Sequence, residues 1–374
     1  MPPLAQRNLF HDKVRLAVTL TGIVFSVVLI VVQLGLFFGF TTATSNLIDH
    51  SGADLWITSK NVPYVEQGVA FSERKLNQVR AVPGVADAQK IIAHWTQWKR
   101  HDGGEESVQI VGINVDDNLE RPWNLVEGRV EDLKSPDAII VDDLYRRKLG
   151  VTRVGEVFEI GGHRARVVGF THGIRSFTTS PYVFTSFKNA QNYTGLREDQ
   201  TLFVLVKVAP GADLETVRHG LLAHVKDVEV LTTAKFSHMT TFYWMFTTGA
   251  GVAVLIAAVL GLVVGFVVVA QTIYATTMDH LREYGTLKAM GAPNSYVYKV
   301  IMKQAAISAV IGYVLGMVVS AFVVHASQAG GAAILMPLPM AVGMFFVTLV
   351  MCTGAALVSI NKVMRIDPAM VFKG

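Results

Sequence analysis

Charge is scarce in this chain, and where it is missing matters more than how much there is. Only 17% of the 374 residues are Asp, Glu, Lys or Arg, against roughly 25% in soluble domains. The deficit is local. Residues 16–40 and 240–278 carry no charged side chain, and 304–361 carries only His325. Intramembrane ionisable groups mark proton and ion relays, so their absence argues against an ion-coupled pump working through these segments. Cysteine is nearly absent too. The one thiol, Cys352, lies in an apolar run, so no disulfide within the chain is available. No Gly-x-x-x-x-Gly-Lys-Ser/Thr loop is present to cradle a phosphate. Also missing are His-Glu-x-x-His, Cys-x-x-Cys and Gly-x-Ser-x-Gly. Nothing in the sequence supports an enzyme, and no cofactor is expected in this chain.

The mean hydropathy of +0.40 comes from four apolar runs. A helix needs ~20 apolar residues to cross a bilayer. The run 304–361 is too long for one helix, and Gly330-Gly331 with Pro337-Leu-Pro339 splits it. Four transmembrane helices are therefore predicted, at 16–40, 243–272, 303–325 and 337–360. The first run is too long for a signal-peptide core and reads as a retained helix. Residues 1–15 read as a cytoplasmic segment, either an interfacial helix or a basic tail.

Lys and Arg set the orientation. Arg7, Lys13 and Arg15 precede the first run, Arg282, Lys288, Lys299 and Lys303 lie between the second and third, and Lys362, Arg365 and Lys373 follow the fourth. The positive-inside rule then puts both termini and the 273–302 loop in the cytoplasm, with 41–242 and the short 326–336 loop outside. The outer segment holds 23 basic and 25 acidic residues, so the net +4 belongs to the cytoplasmic face. The pI near 9.0 is a topology signal, and no nucleic acid is implied.

The outer segment reads as an α+β domain. Strand 53–58, helix 72–80 with Ser72 as its N-cap, and strand 88–99 make one unit. Strand 201–208, helix 213–225 and strand 228–231 make a second. Two strand–helix–strand units predict a split sandwich. A small β-rich insert over about 104–200 comes between them, with strands near 106–115, 137–141, 156–170 and 182–184. Trp95, Trp98 and Trp123 read as core or subdomain-interface residues, and Phe242, Tyr243 and Trp244 as an aromatic belt at the outer interface. His163 and His172 flank a hairpin in this reading, too few ligands for a zinc site.

Three small-xxx-small pairs lie in the apolar runs: Gly35 with Gly39, Gly261 with Gly265, and Gly312 with Gly316. Such pairs let helix backbones approach closely, either within one chain or across a dimer. Between the second and third runs lies the most distinctive polar stretch: Arg282, Glu283, Tyr284, Gly285, Thr286, Leu287, Lys288, Ala289, Met290, Gly291 and Ala292, followed by Pro293. It reads as a contact for a cytosolic partner, or else as a loop that only sets orientation.

One span, a large outer domain, three more spans and the Arg-Glu-x-Gly-x-x-x-Ala-x-Gly-Ala loop at 282–292 resemble the permease subunits of the MacB/FtsX superfamily of ABC transporters. The tail Arg365-Ile-Asp-Pro-Ala-Met370 is similar to that family's ending. The DevC branch is closer still. Its members look like Asn8-Leu-x-His-x-Lys-x-Arg15, Gly52-Ala-Asp-Leu-Trp-Ile57 and Glu283-Tyr-x-Thr-Leu-Lys-Ala-Met290. Gln304-Ala305 departs from the Glu-Ala common in MacB-like permeases. The resemblance implies a homodimer in the inner membrane with two copies of a separate ATPase, which binds ATP-Mg. The 282–292 loop would be the coupling helix that docks on that ATPase. It further implies a periplasmic adaptor and an outer-membrane channel, or, in other branches, a regulated envelope hydrolase or an extracted lipoprotein.

Overall fold

The computed structural model describes residues 13–279, 286, 293–327 and 334–364. Besides short helical turns, the elements in chain order are α1 (Lys13–Thr44), β1 (Leu55–Thr58), β2 (Phe71–Ser72), α2 (Lys75–Arg80), β3 (Val85–Lys99), β4 (Glu105–Ile113) and β5 (Leu125–Glu127). Then come β6 (Ala138–Asp142), β7 (Val157–Ile160), β8 (His163–Thr171), β9 (Tyr182–Ser186), α3 (Phe187–Thr194), β10 (Gln200–Thr201) and β11 (Phe203–Val208). The chain closes with α4 (Leu214–His224), β12 (Glu229–Thr232), α5 (Thr233–Phe242), α6 (Ala250–Asp279), α7 (Asn294–Ser327) and α8 (Leu338–Met364). They fall into two compact units, one holding the long apolar helices and one spanning residues 40–251.

The helical unit contains four helices long and apolar enough to cross a membrane: 16–44, 250–279, 298–327 and 338–358. In hydrocarbon each backbone N–H and C=O needs a partner within its own segment, which a helix supplies. The second of these begins at Ala250, seven residues later than the sequence suggests. The intervening residues Tyr243–Thr247 form a wide π-helical turn continuing α5. Gly249, at φ +80, then breaks the helix in a conformation that suits glycine.

In the unit of residues 40–251, the first half is a four-stranded antiparallel sheet in the order β12-β1-β11-β3. Its two β-α-β halves, β1-α2-β3 and β11-α4-β12, form the split sandwich of the sequence reading. Strand alternation sends Leu55, Ile57, Val204, Val206 and Val230 to one face, where Val79 of α2 and Val217 and Leu221 of α4 cover them. Trp56, Phe203 and Leu231 are in the other core, with Phe236 of α5. The rings of Trp56 and Phe236 are 5.4 Å apart. One expectation fails here. Ser72 does not cap a helix, because residues 71–72 are used in pairing with β10 and the helix starts only at Lys75.

The insert is a closed structure. At Ile92 the fifteen-residue β3 leaves its partner β11 and pairs with β4. From there the pairing runs β4-β9-β6-β8-β7 and returns to β3 through Trp98↔Ile160. Six strands thus close a circuit, which removes the free edges that a small open sheet would expose. The turn from β7 to β8 uses Gly161 at φ +55, where a Cβ would meet the Tyr193 carbonyl oxygen at 2.3 Å. Trp98 is fully buried against Phe158, and its indole N–H donates to the Leu149 carbonyl at 3.1 Å. Trp123 is half-buried and stacks on His50 at 4.2 Å. His163 and His172 lie at or just beyond opposite ends of β8 and do not converge.

Candidate functional site

The helical unit is built around α1. Its buried residues Ile23, Val27, Ile30 and Val31 form one core with Val269 of α6, Ala309 of α7, and Met344, Met351 and Cys352 of α8. The glycine pairs explain how the helices approach. A Cβ on Gly261 would lie 2.9 Å from Leu29, and one on Gly265 would lie 2.3 Å from the Ser26 Oγ. On α7, a Cβ on Gly312 would lie 2.5 Å from Ile23 and one on Gly316 would lie 2.7 Å from Val27. Gly35 sits beneath Ile334, and its carbonyl accepts the Leu335 N–H at 3.1 Å. Gly39 is buried. Five of the six glycines are therefore used in contacts within the chain. Backbone proximity of this kind lets dispersion hold helices together where lipid gives no hydrophobic drive.

Of the polar stretch 282–292, only Thr286 is among the described residues, where it is helical and exposed. Arg282, Glu283, Tyr284, Gly285, Leu287, Lys288, Ala289, Met290, Gly291 and Ala292 lie outside them. The tail 365–374 and most of the segment 1–15 do too. Just beyond the stretch, Val300, Ile301 and Ala305 of α7 pack with Ala356 and Ile360 of α8. Gln304 is buried beside them, and its amide nitrogen finds no acceptor among the described residues.

The unit of residues 40–251 is tied together where the chain enters and leaves it. The Thr44 and Thr241 hydroxyls are 3.0 Å apart, and Thr44 also bonds back to the Thr41 carbonyl. Close by in sequence, Trp244 turns inward. Its indole N–H donates to the Glu66 carboxylate at 3.2 Å. Tyr243 stacks on Tyr64 at 4.1 Å, and Phe177 bridges Trp244 and Phe40. This corrects the belt reading for two of its three residues: of Phe242, Tyr243 and Trp244, only Phe242 is strongly exposed.

Burial pushes the Glu66 carboxyl up to about 7, although the Trp244 N–H opposes the shift. Glu120 is buried with neither oxygen partnered among the described residues, and desolvation holds it well above the usual carboxylate range. The Tyr182 hydroxyl, also buried, is raised by desolvation and then by the Glu66 charge. Asp142 is the opposite case. It accepts from Leu144, Gly173 and Ile174 N–H groups and from the Thr171 hydroxyl, a satisfied buried carboxylate that fixes a loop. Among the described residues no three His, Cys, Asp or Glu side chains gather to hold a metal. Glu66 had no signal in the sequence, since its burial depends on residues far along the chain.

A family model described as the MacB-like periplasmic core domain matches residues 16–223, and one described as the FtsX-like permease C-terminal matches 255–368. The chain belongs to the MacB/FtsX family of ABC transporter permeases. It is similar to an uncharacterized ABC transporter permease of Mycobacterium tuberculosis, 23% identical over 99% of both chains. A second permease of that organism is 21% identical over 96% of this chain and 95% of its own. One from Methanocaldococcus jannaschii is 22% identical over 55% of this chain and 53% of its own. Among solved structures, the periplasmic region of MacB from Actinobacillus actinomycetemcomitans is 12% identical, covers 51% of this chain and 94% of its own, and has a TM-score of 0.39. The extracellular domain of the ABC-type transporter YknZ from Gram-positive bacteria is 13% identical, covers 48% and 99%, and has a TM-score of 0.36. As a MacB/FtsX permease, the chain is the membrane-spanning partner of an ATPase, and its four apolar helices fit a multi-pass membrane protein.

Proposed function

We propose that this permease transmits ATP-driven motion from the cytoplasm to its outer unit, and that the motion drives export of an envelope component. The Thr44–Thr241 contact carries the reading. It fastens the two ends of the outer unit, one at the last residue of α1 and the other two residues before the π-helical link to α6. A relative shift of α1 and α6 would therefore strain one hydrogen-bonded junction and move the outer unit. The force would enter at Arg282–Ala292 as the coupling helix, on a separate ATPase that binds ATP-Mg. Two copies of the permease, in the bacterial inner membrane with termini inside and residues 41–242 in the periplasm, would pair with two of the ATPase. A DevC-like assembly with a periplasmic adaptor and an outer-membrane channel is the arrangement that fits export best.

Affinity purification of the tagged permease from its native membrane tests this. Recovery of an ABC ATPase together with an adaptor supports the export assembly. Recovery of the ATPase with an envelope hydrolase turns the reading to signalling, and with a lipoprotein to extraction. Recovery of intact permease alone would overturn the coupling assignment.

A further inference from the structure

The outward stripe of α5 and its π-helical continuation is left unused by force transmission. Lys235, His238, Phe242 and Phe246 are exposed along it, whereas Phe236, Thr240 and Met245 are buried on the other side. Spacings of three and four residues place the exposed group on one helix face. Side-chain geometry makes the face continuous. The His238 and Phe242 rings stack with centroids 6.5 Å apart, and Phe242 and Phe246 follow at 5.3 Å. Phe242 and Phe246 remain 53% and 45% exposed, so about half of each ring surface is left uncovered by the described residues. Among the described residues the Lys235 ammonium has no ion-pair partner.

Beside this stripe lies a cleft of about 450 Å³, lined by Pro63, His238, Met239, Phe242, Tyr243 and Thr247. The Tyr64 ring, stacked on Tyr243, stiffens one wall. The stripe is graded: a cation and an imidazole come first, then bare aromatic rings, and α6 begins at Ala250, four residues past Phe246. Four residues reach at most ~15 Å, so the aromatic end is leashed to the start of an apolar membrane helix. Lys235 lies eleven residues back, on the order of 16 Å along a helix, so the cation stands at the end of the stripe away from the apolar helix and the bare rings at the end beside it.

From this gradient we infer that the stripe and cleft bind an anionic phospholipid of the outer leaflet. The phosphate sits on Lys235 and His238, and an acyl chain lies in the cleft against Met239 and Phe242. Attachment to the α6 junction favours lipid over a soluble protein, because a partner protein would have to meet bare phenylalanine rings at the membrane surface. The inference does not depend on the cargo or on the ATPase contact.

The test uses the full chain in vesicles of equal parts phosphatidylcholine and phosphatidylglycerol. A benzophenone side chain is installed at Met239 and, in a separate variant, at the exposed Phe242, and photo-adducts are identified by mass. Folding of each variant is checked by its thermal unfolding, and the Phe242 variant decides if the Met239 variant does not fold. Lipid adducts at both positions, with phosphatidylglycerol enriched about fivefold as one interfacial cation would give, support the site. Lys235→Glu should abolish that enrichment while leaving adducts to both lipids, and the same probe at Leu222 should label no lipid. Equal labelling of the two lipids, unchanged by Lys235→Glu, would mean the rings are merely immersed in the interface and would overturn the site. Adducts to polypeptide alone, or none, would overturn it as well.

Discussion

The Trp244 indole N–H reaches the Glu66 carboxylate at 3.2 Å, and that carboxylate is buried. The contact joins the short turn at residues 65–67 to the π-helical link that precedes α6. The folded carboxyl titrates at about 7 against an ordinary 4.5. A raised folded value means the folded state binds the proton more tightly than the unfolded chain. Stability is therefore full below pH ~4.5 and falls as pH rises toward ~7, by on the order of 3 kcal/mol. Glu66→Gln keeps an acceptor for Trp244 but cannot ionise. It should flatten this part of the stability curve and remove a pH-dependent change in Trp244 fluorescence. Equal pH slopes for the two proteins would refute the assignment.

Gly265 should tolerate no bulky side chain. Its virtual Cβ meets Ser26 Oγ at 2.3 Å and Ser26 Cβ at 2.5 Å, whereas Gly343 meets nothing within 4 Å. Gly265→Leu should lower thermal stability in detergent by about 1–3 kcal/mol, the range for overpacking, and Gly343→Leu should be close to neutral. Adding Ser26→Gly to Gly265→Ala should recover part of the loss, because it removes the group in the way. The same stability for both leucine variants would mean that the α1–α6 crossing is not close-packed.

Some of this architecture is legible in the sequence, and the rest is not, for definable reasons. Strand–helix–strand units show because Leu55/Ile57 and Val204/Val206 alternate with a period of two, and because Asp213 caps α4 through the Thr216 N–H. The insert's strands show too, but not its closure, since Trp98↔Ile160 pairs residues 62 apart. Trp244 is ambiguous in the sequence because an aromatic next to a span has two uses, anchoring in the interface or packing inward. Only the tertiary position of Glu66, 178 residues away, decides between them. The glycine pairs announce close helix contact without saying with what, and the partners Ile23, Ser26, Val27 and Leu29 all come from α1.

Trp98 should be the residue on which the closed six-strand insert depends. It is fully buried, packs on Phe158 with centroids 4.7 Å apart, and satisfies the Leu149 carbonyl. Trp98→Ala should cost about 3–5 kcal/mol and expose the β7–β8 hairpin to limited proteolysis before the β12-β1-β11-β3 sheet. Trp98→Phe keeps most of the area but leaves the Leu149 carbonyl unpaired, and should cost roughly 1–3 kcal/mol. Cleavage starting instead in the four-stranded half would mean that the insert is held mainly by other contacts.

The coupling assignment for Arg282–Ala292 makes a sharper demand than loss of function. A loop that only orients the chain cares about net charge, since Lys and Arg set topology. A docking helix cares about which charge stands where, because a partner groove reads position. Exchanging Glu283 and Lys288 keeps the net charge of the stretch and changes only the arrangement. Gly291→Pro instead removes an N–H and restricts the backbone beside the existing Pro293. Both variants should reach the membrane at normal abundance and leave ATP hydrolysis by the partner running, while transport falls at least about tenfold, as loss of ~1.4 kcal/mol of coupling would give. Measured together in reconstituted vesicles, hydrolysis without transport identifies the coupling contact. Full transport by the charge-swapped chain would reduce the stretch to a topology signal.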